Sequence, residues 1–164
     1  MDTQQYLRNV EARLAEGGFA VTPHADLGGG TACVGHRSEF KWLAMSRMHL
    51  FFCVEAVDTV TSGGLEEFAQ RAVGYANAQK GALRGLQSGL AVVPVQIGAA
   101  VQEDARHFAQ HQLVRKFAAF AWPVAVDATQ EVAYRHLGRP TIGAAFTGWM
   151  RRQVDAITLE PVPA

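Results

Sequence analysis

Glu39, Lys41, His49 and Glu55 lie within seventeen residues of one another and carry the types needed to hold a divalent cation and polarise water. Carboxylates offer hard oxygen ligands, an imidazole adds a nitrogen ligand or a base, and a lysine can stabilise a developing negative charge. Two strands are expected to present them. From Thr31 to Trp42 the chain alternates, with Val34, Phe40 and Trp42 on one side and Arg37, Glu39 and Lys41 on the other, the period of a half-exposed strand. His49 to Val57 (HLFFCVEAV) is apolar on both faces, as a central strand requires. A hairpin turning near Leu43 to Ser46 would set Glu39 opposite His49 and Cys33 opposite Glu55, with Arg37, Lys41 and Cys53 on that same face. A slip of one residue would send half the set to the far face. The plain alternative is the solvated side of an amphipathic strand, whose cross-strand ion pairs are worth a few tenths of a kcal/mol.

Three other groupings are weaker. His107 and His111 stand four apart, with Glu103 one turn before, a spacing that can offer two imidazoles to one metal. They fall away from the apolar stripe of Ala105, Ala109, Leu113 and Phe117, and the intervening residues do not make a His-Glu-x-x-His zinc pattern, so a solvated face is expected. The glycine-rich GALRGLQSG, with Arg84 inside it and Lys80 beside it, can cradle an anion, but it leads into a strand where phosphate loops lead into a helix. Gly138-Arg139-Pro140-Thr141 is a second anion candidate, equally readable as helix capping. No G-x-S-x-G elbow occurs, and Cys33 and Cys53 lie in apolar segments outside any nucleophile motif. Both cysteines are expected as buried thiols, and no cofactor is expected.

The elements around these residues read as follows. Asp2 and Gln5 make a capping box for a helix with Tyr6, Leu7, Val10 and Leu14 inward, closed by Gly17-Gly18. Phe19 to Thr22 is a short strand ended by Pro23. After the hairpin, Thr61 or Ser62 caps a helix with Leu65, Phe68, Ala69, Ala72 and Ala76 inward and Arg71 outside. Gly81, Gly85 and Gly89 argue for an irregular return loop, since each glycine costs a helix about 1 kcal/mol. Leu90 to Ile97 (LAVVPVQI) is a strand whose Pro94 argues against a fully paired central position. Glu103-Asp104 and Arg115-Lys116 match the dipole of a helix over Glu103 to Phe120. Trp122 to Val126 is a strand parallel to Leu90 to Ile97, Val132 to Tyr134 an edge strand, and Pro140 or Thr141 opens a last helix. The expected fold is α+β, a mixed α/β arrangement: a three-strand antiparallel meander extended by a parallel strand-helix-strand unit, with helices packed on the sheet. One domain over 1–158 and a loose tail over 159–164 are expected.

Composition bounds the function classes. The chain has 164 residues, 49% of them apolar and 18% charged, with 15 Lys+Arg against 15 Asp+Glu. That suffices for one core and is the wrong balance for a broad nucleic-acid or membrane surface. The first residues show no signal pattern and the longest apolar run, Phe117 to Val126, is half a membrane span, so a cytoplasmic protein is expected.

The order helix, meander, helix, strand over residues 1–98 resembles the core of the restriction-endonuclease-like PD-(D/E)xK proteins. That resemblance implies an acidic residue on the second core strand and a Glu-x-Lys on the third, holding magnesium and activating water. Glu39-Phe40-Lys41 has the letters but sits on the second strand. Glu55-Ala56-Val57 on the third has the acid without the lysine, and Asp26 is a loosely placed partner. The same order is similar to the type III secretion chaperone-like fold, which implies protein binding without chemistry. Lys80 to Val95 resembles small prokaryotic proteins of unknown function. The leading expectation is a non-catalytic module that binds a protein partner or forms a homo-oligomer. The alternative is a metal-dependent nuclease or phosphodiesterase relative using Glu39, Lys41 and Glu55.

Overall fold

The computed structural model describes residues 1–41, 46–82, 88–116, 119–138 and 144–158. Helix α1 (Thr3–Glu16) leads into strands β1 (Ala20–Asp26), β2 (Thr31–Lys41), β3 (Ser46–Ala56) and β4 (Thr59–Val60), then α2 (Ser62–Ala82). Next come β5 (Ser88–Gly98), β6 (Ala100–Val101), α3 (Glu103–His111), β7 (Val114–Lys116), β8 (Ala119–Ala121), β9 (Val124–Asp127), β10 (Val132–Tyr134) and α4 (Ala144–Thr158). The fold is mixed α/β, as expected. β1, β2 and β3 form the antiparallel meander, and β5 lies parallel to β3 after the α2 crossover. The far side of β5 pairs in parallel with β8 along its first half and β9 along its second, while β7 and β10 flank those two antiparallel.

The apolar positions of each element explain the layering. Asp2 accepts a 2.8 Å hydrogen bond from the Gln5 amide to start α1, whose Tyr6, Val10 and Leu14 are buried. They pack on Leu50, Phe52, Val54, Val93 and Val95, together with Met150 and Val154 of α4. The opposite face takes Phe68, Ala72, Val73 and Ala76 of α2 against Phe51, Cys53, Leu90 and Val92. β3 is therefore buried on both faces, which is why HLFFCVEAV alternates so little. Gly35 lets Leu14 seat on β2: a Cβ there would stand 2.9 Å from Leu14 Cδ2. The Tyr6 hydroxyl donates to the Thr158 carbonyl and Arg13 reaches the Ile157 carbonyl at 3.2 Å, tying α1 to the end of α4. Among the described residues no helix is long and apolar enough to cross a membrane.

Several boundaries differ from expectation. β1 continues through Pro23 to Asp26, accommodated by a register shift between Thr22 and Ala25 on an edge strand. Pro94 does sit in the central strand β5. It falls level with Trp122-Pro123, the gap between β8 and β9, where β5 has no ladder on its outer side to lose. The helix expected over Glu103 to Phe120 ends at His111, because Gln112 turns extended (φ −105°, ψ 137°). The chain beyond it forms the β7–β8 hairpin, in which Arg115 and Lys116 belong to a strand and not to a helix end. The Pro140–Thr141 helix start, the 159–164 tail and Arg84 lie outside the described residues.

Candidate functional site

The hairpin register decides where the chemistry-bearing residues go. Ser38, not Glu39, stands opposite His49; Glu39 faces Met48, and Cys33 faces Val54 rather than Glu55. This corrects the expected pairing by one residue, and since side chains alternate, it divides the set. Glu39 and Lys41 share the α1/α4 face; His49, Cys53 and Glu55 point toward α2. Along the strands Glu39 and Glu55 are separated by about 23 Å at 3.3 Å per residue.

On the α1/α4 face the charges act as fasteners. Glu39 meets Lys41 Nζ at 2.8 Å and Arg37 Nη2 at 3.1 Å. Burial pushes the Glu39 carboxyl up, but the Lys41 hydrogen bond and charge, with Arg37 and Trp149 behind them, bring it net below its ordinary value. Lys41 Nζ lies 4.3 Å from the Trp149 ring centroid of α4, and Arg37 bridges to the Gly17 carbonyl and Gln153 while stacking 4.5 Å over Phe19. These contacts clamp both helices onto β2.

On the α2 face, the C-terminal ends of the parallel strands β3 and β5 gather Glu55, Gln96 and Arg71. Gln96 Nε2 donates to Glu55 at 2.7 Å and to the Gly64 carbonyl at 3.3 Å, and Arg71 Nη2 lies 3.4 Å from the Glu55 carboxylate. Arg71 thus turns inward from the helix side where the sequence pattern put it outside, because the buried carboxylate needs a counter-charge. The loop after β1 lies against it: a Cβ on Gly30 would come within 3.1 Å of Arg71 Nη1. Asp26 is spent on that loop, accepting from the Gly28 amide at 2.8 Å. Where a Glu-x-Lys would put its lysine, Val57 stands.

The other end of the same face brings together His49, expected opposite Glu39, and His36, for which the sequence pattern names no partner. His36 Nε2 lies 3.0 Å from His49 Nδ1, the rings stacked with centroids 5.3 Å apart, and His36 also stacks on Phe51 at 4.4 Å. Burial, then the neighbouring His49, hold the His36 imidazole below its ordinary pKa. The signal was available: His36 is two residues from inward-facing Val34, so strict alternation puts it on the covered face. Beside the pair opens a cleft of about 230 Å³, walled by Ala20 and Thr22 of β1, Val34 and His36 of β2, Phe51 of β3, and Tyr75 and Gln79 of α2. It exists because α2 covers β3 and β5 and leaves the outer β1–β2 margin bare.

The candidates on α3 and the two cysteines make contacts or are buried away from both ends of this face. His107 and His111 touch on α3, ring centroids 4.4 Å apart, and Asp104 accepts from Ser62 at 2.6 Å, joining α3 to the start of α2. Cys33 and Cys53 are buried free thiols. Burial, helped by Glu11, pushes Cys33 to about 12, and burial raises Cys53 further; neither is a thiolate near neutrality. Among the described residues no three of His, Cys, Asp and Glu stand close enough to share a metal ion. Comparison with models of known families, with curated proteins and with solved structures finds no match.

Proposed function

We propose that this protein is a non-catalytic module that binds an extended segment of another protein, or of a second copy of itself, at the start of β1. The supporting observation is the cleft between β1 and α2. At about 230 Å³ it falls below the roughly 300–1,000 Å³ of pockets that bury whole small-molecule ligands. It suits one aromatic or branched side chain. The stretch Ala20–Thr22 runs along its rim before the irregularity at Pro23, and among the described residues β1 pairs with β2 alone. A short added strand pairing there, with one side chain anchored among His36, Phe51 and Tyr75, is the recognition mode this supports. The buried free thiols fit a reducing, cytoplasmic compartment. The test is selection from a displayed random-peptide library: sequences with a single apolar anchor should enrich on the wild type and be lost when Gln79→Trp fills the cleft. Equal enrichment on the filled variant would defeat the reading.

A second reading, a metal-dependent phosphodiesterase, draws on the meander-helix-parallel-strand order and on Glu55 near the end of β3. Its expected partners Glu39 and Lys41 are on the other face, and Glu55 is engaged by Gln96 and Arg71. Titration with magnesium or manganese followed by NMR decides it: saturable shifts confined to Glu55 and its neighbours would favour that chemistry.

A further inference from the structure

Buried donors without acceptors carry this inference. Among the described residues eight buried side-chain nitrogen or oxygen atoms lack a hydrogen-bond partner, and four of them belong to Trp122, His136, Thr147 and Arg151. Folded proteins pair nearly all such atoms, because each one left dry costs roughly 1–3 kcal/mol. Trp122, His136 and Arg151 lie where the β8–β9 junction, the segment after β10 and α4 meet. The Trp122 and His136 rings sit edge to face with centroids 5.5 Å apart. Arg151 donates to the Leu137 and Gly138 carbonyls at 2.6 and 2.7 Å, immediately after His136. Thr147 precedes Arg151 by one turn, on the same face of α4. Trp122, His136 and Thr147 are each more than nine-tenths buried.

Two of the unmet groups, Trp122 Nε1–H and Arg151 Nε–H, can only donate, and the other two, the Thr147 hydroxyl and His136 Nδ1, can donate or accept. The charge has one sign too. Asp155, the next acid along α4, is taken bidentately by Arg135 at 2.5 and 2.8 Å. Among the described residues Arg151 has carbonyl partners only. The positive surroundings are felt by His136, which burial, then Arg151 of α4 and His111 of α3, hold below its ordinary pKa. An indole donor and a guanidinium donor, with a hydroxyl one turn away on α4, match an oxygen-rich anion.

We propose that Trp122, His136, Thr147 and Arg151 form a binding site for a small oxyanion group, a phosphate or a carboxylate. The site lies on different elements from the β1 cleft and does not depend on it. The two sources differ in geometry, since a tetrahedral phosphate offers oxygens to donors on three sides and a planar carboxylate to donors in one plane.

The test is NMR titration of the full chain with inorganic phosphate and, separately, acetate, each against sodium chloride of equal ionic strength. The Trp122 indole N–H signal, assigned through Trp122→Phe, should shift saturably with one anion, and the apparent pKa of His136 should rise as that anion binds. A larger saturable response to phosphate marks the tetrahedral group, and to acetate the carboxylate. Arg151→Gln should weaken binding at least tenfold. Thr147→Val, which keeps the side chain's shape, supplies the same readout, a several-fold loss, if Arg151→Gln does not fold. A linear drift matching sodium chloride, or saturation unchanged in both variants, would overturn the proposal.

Discussion

Glu55 offers the sharpest division between a structural and a catalytic carboxylate. Its side chain is 13% exposed and that of Arg71 20%, and its best hydrogen bond is the 2.7 Å contact from Gln96. Removing one partner of a fully buried ion pair costs about 3–5 kcal/mol. The 3.4 Å separation and residual solvent access reduce this, so we expect about 2 kcal/mol for Glu55→Ala. Glu55→Gln retains an acceptor for Gln96 but leaves the Arg71 guanidinium, two of whose nitrogens already lack partners, without its counter-charge; about 1 kcal/mol is expected. At about 2–4 °C per kcal/mol for a chain of this size, Glu55→Ala should lower the melting temperature by about 4–8 °C. Urea denaturation of Glu55→Ala, Arg71→Met and the double variant measures the coupling, expected near 1 kcal/mol. A Glu55→Ala protein within 0.5 kcal/mol of wild type and zero coupling to Arg71 would refute the argument. The carboxylate would then be held for something other than the fold.

Two further outcomes follow from the packing and the imidazoles. Gly35→Val should destabilise by about 1–3 kcal/mol, because Leu14 already occupies the space its side chain needs; an unchanged urea midpoint would mean α1 is free to move off β2. His36 and His136 both titrate below the ordinary 6.5 in the folded chain, so below that pH the unfolded chain binds more protons than the folded one. Stability should fall as pH drops from 6.5, and His36→Gln should flatten part of that fall in urea midpoints taken from pH 7.5 to 5. An unaltered slope in His36→Gln would show that the imidazole pair is not a source of the dependence.

Local patterns were readable where burial and period agree. HLFFCVEAV is a two-sided strand in sequence and in space, and the α1 stripe of Tyr6, Val10 and Leu14 is buried as its spacing demands. The site was harder because it hangs on register, which no local pattern states: one residue of slip separated Glu39 from His49 and brought His36 to His49 instead. The Glu103 to Phe120 segment shows the other failure. Its charges suit a helix dipole, yet Leu113 to Phe120 also suits a short hairpin, and pairing against β5 decides between them. Arg71 was misplaced for a third reason: helical spacing put it outside, whereas the buried Glu55 drew it in.

The most direct measurement of the binding reading is amide hydrogen exchange across the chain, with and without a peptide selected on the wild-type protein. An added strand beside the cleft should slow exchange at one or two amides within Ala20–Thr22 by tenfold or more, and leave the Pro23–Asp26 half of β1 unchanged. Protection confined to other elements, with Ala20–Thr22 exchanging as in the unbound chain, would contradict it.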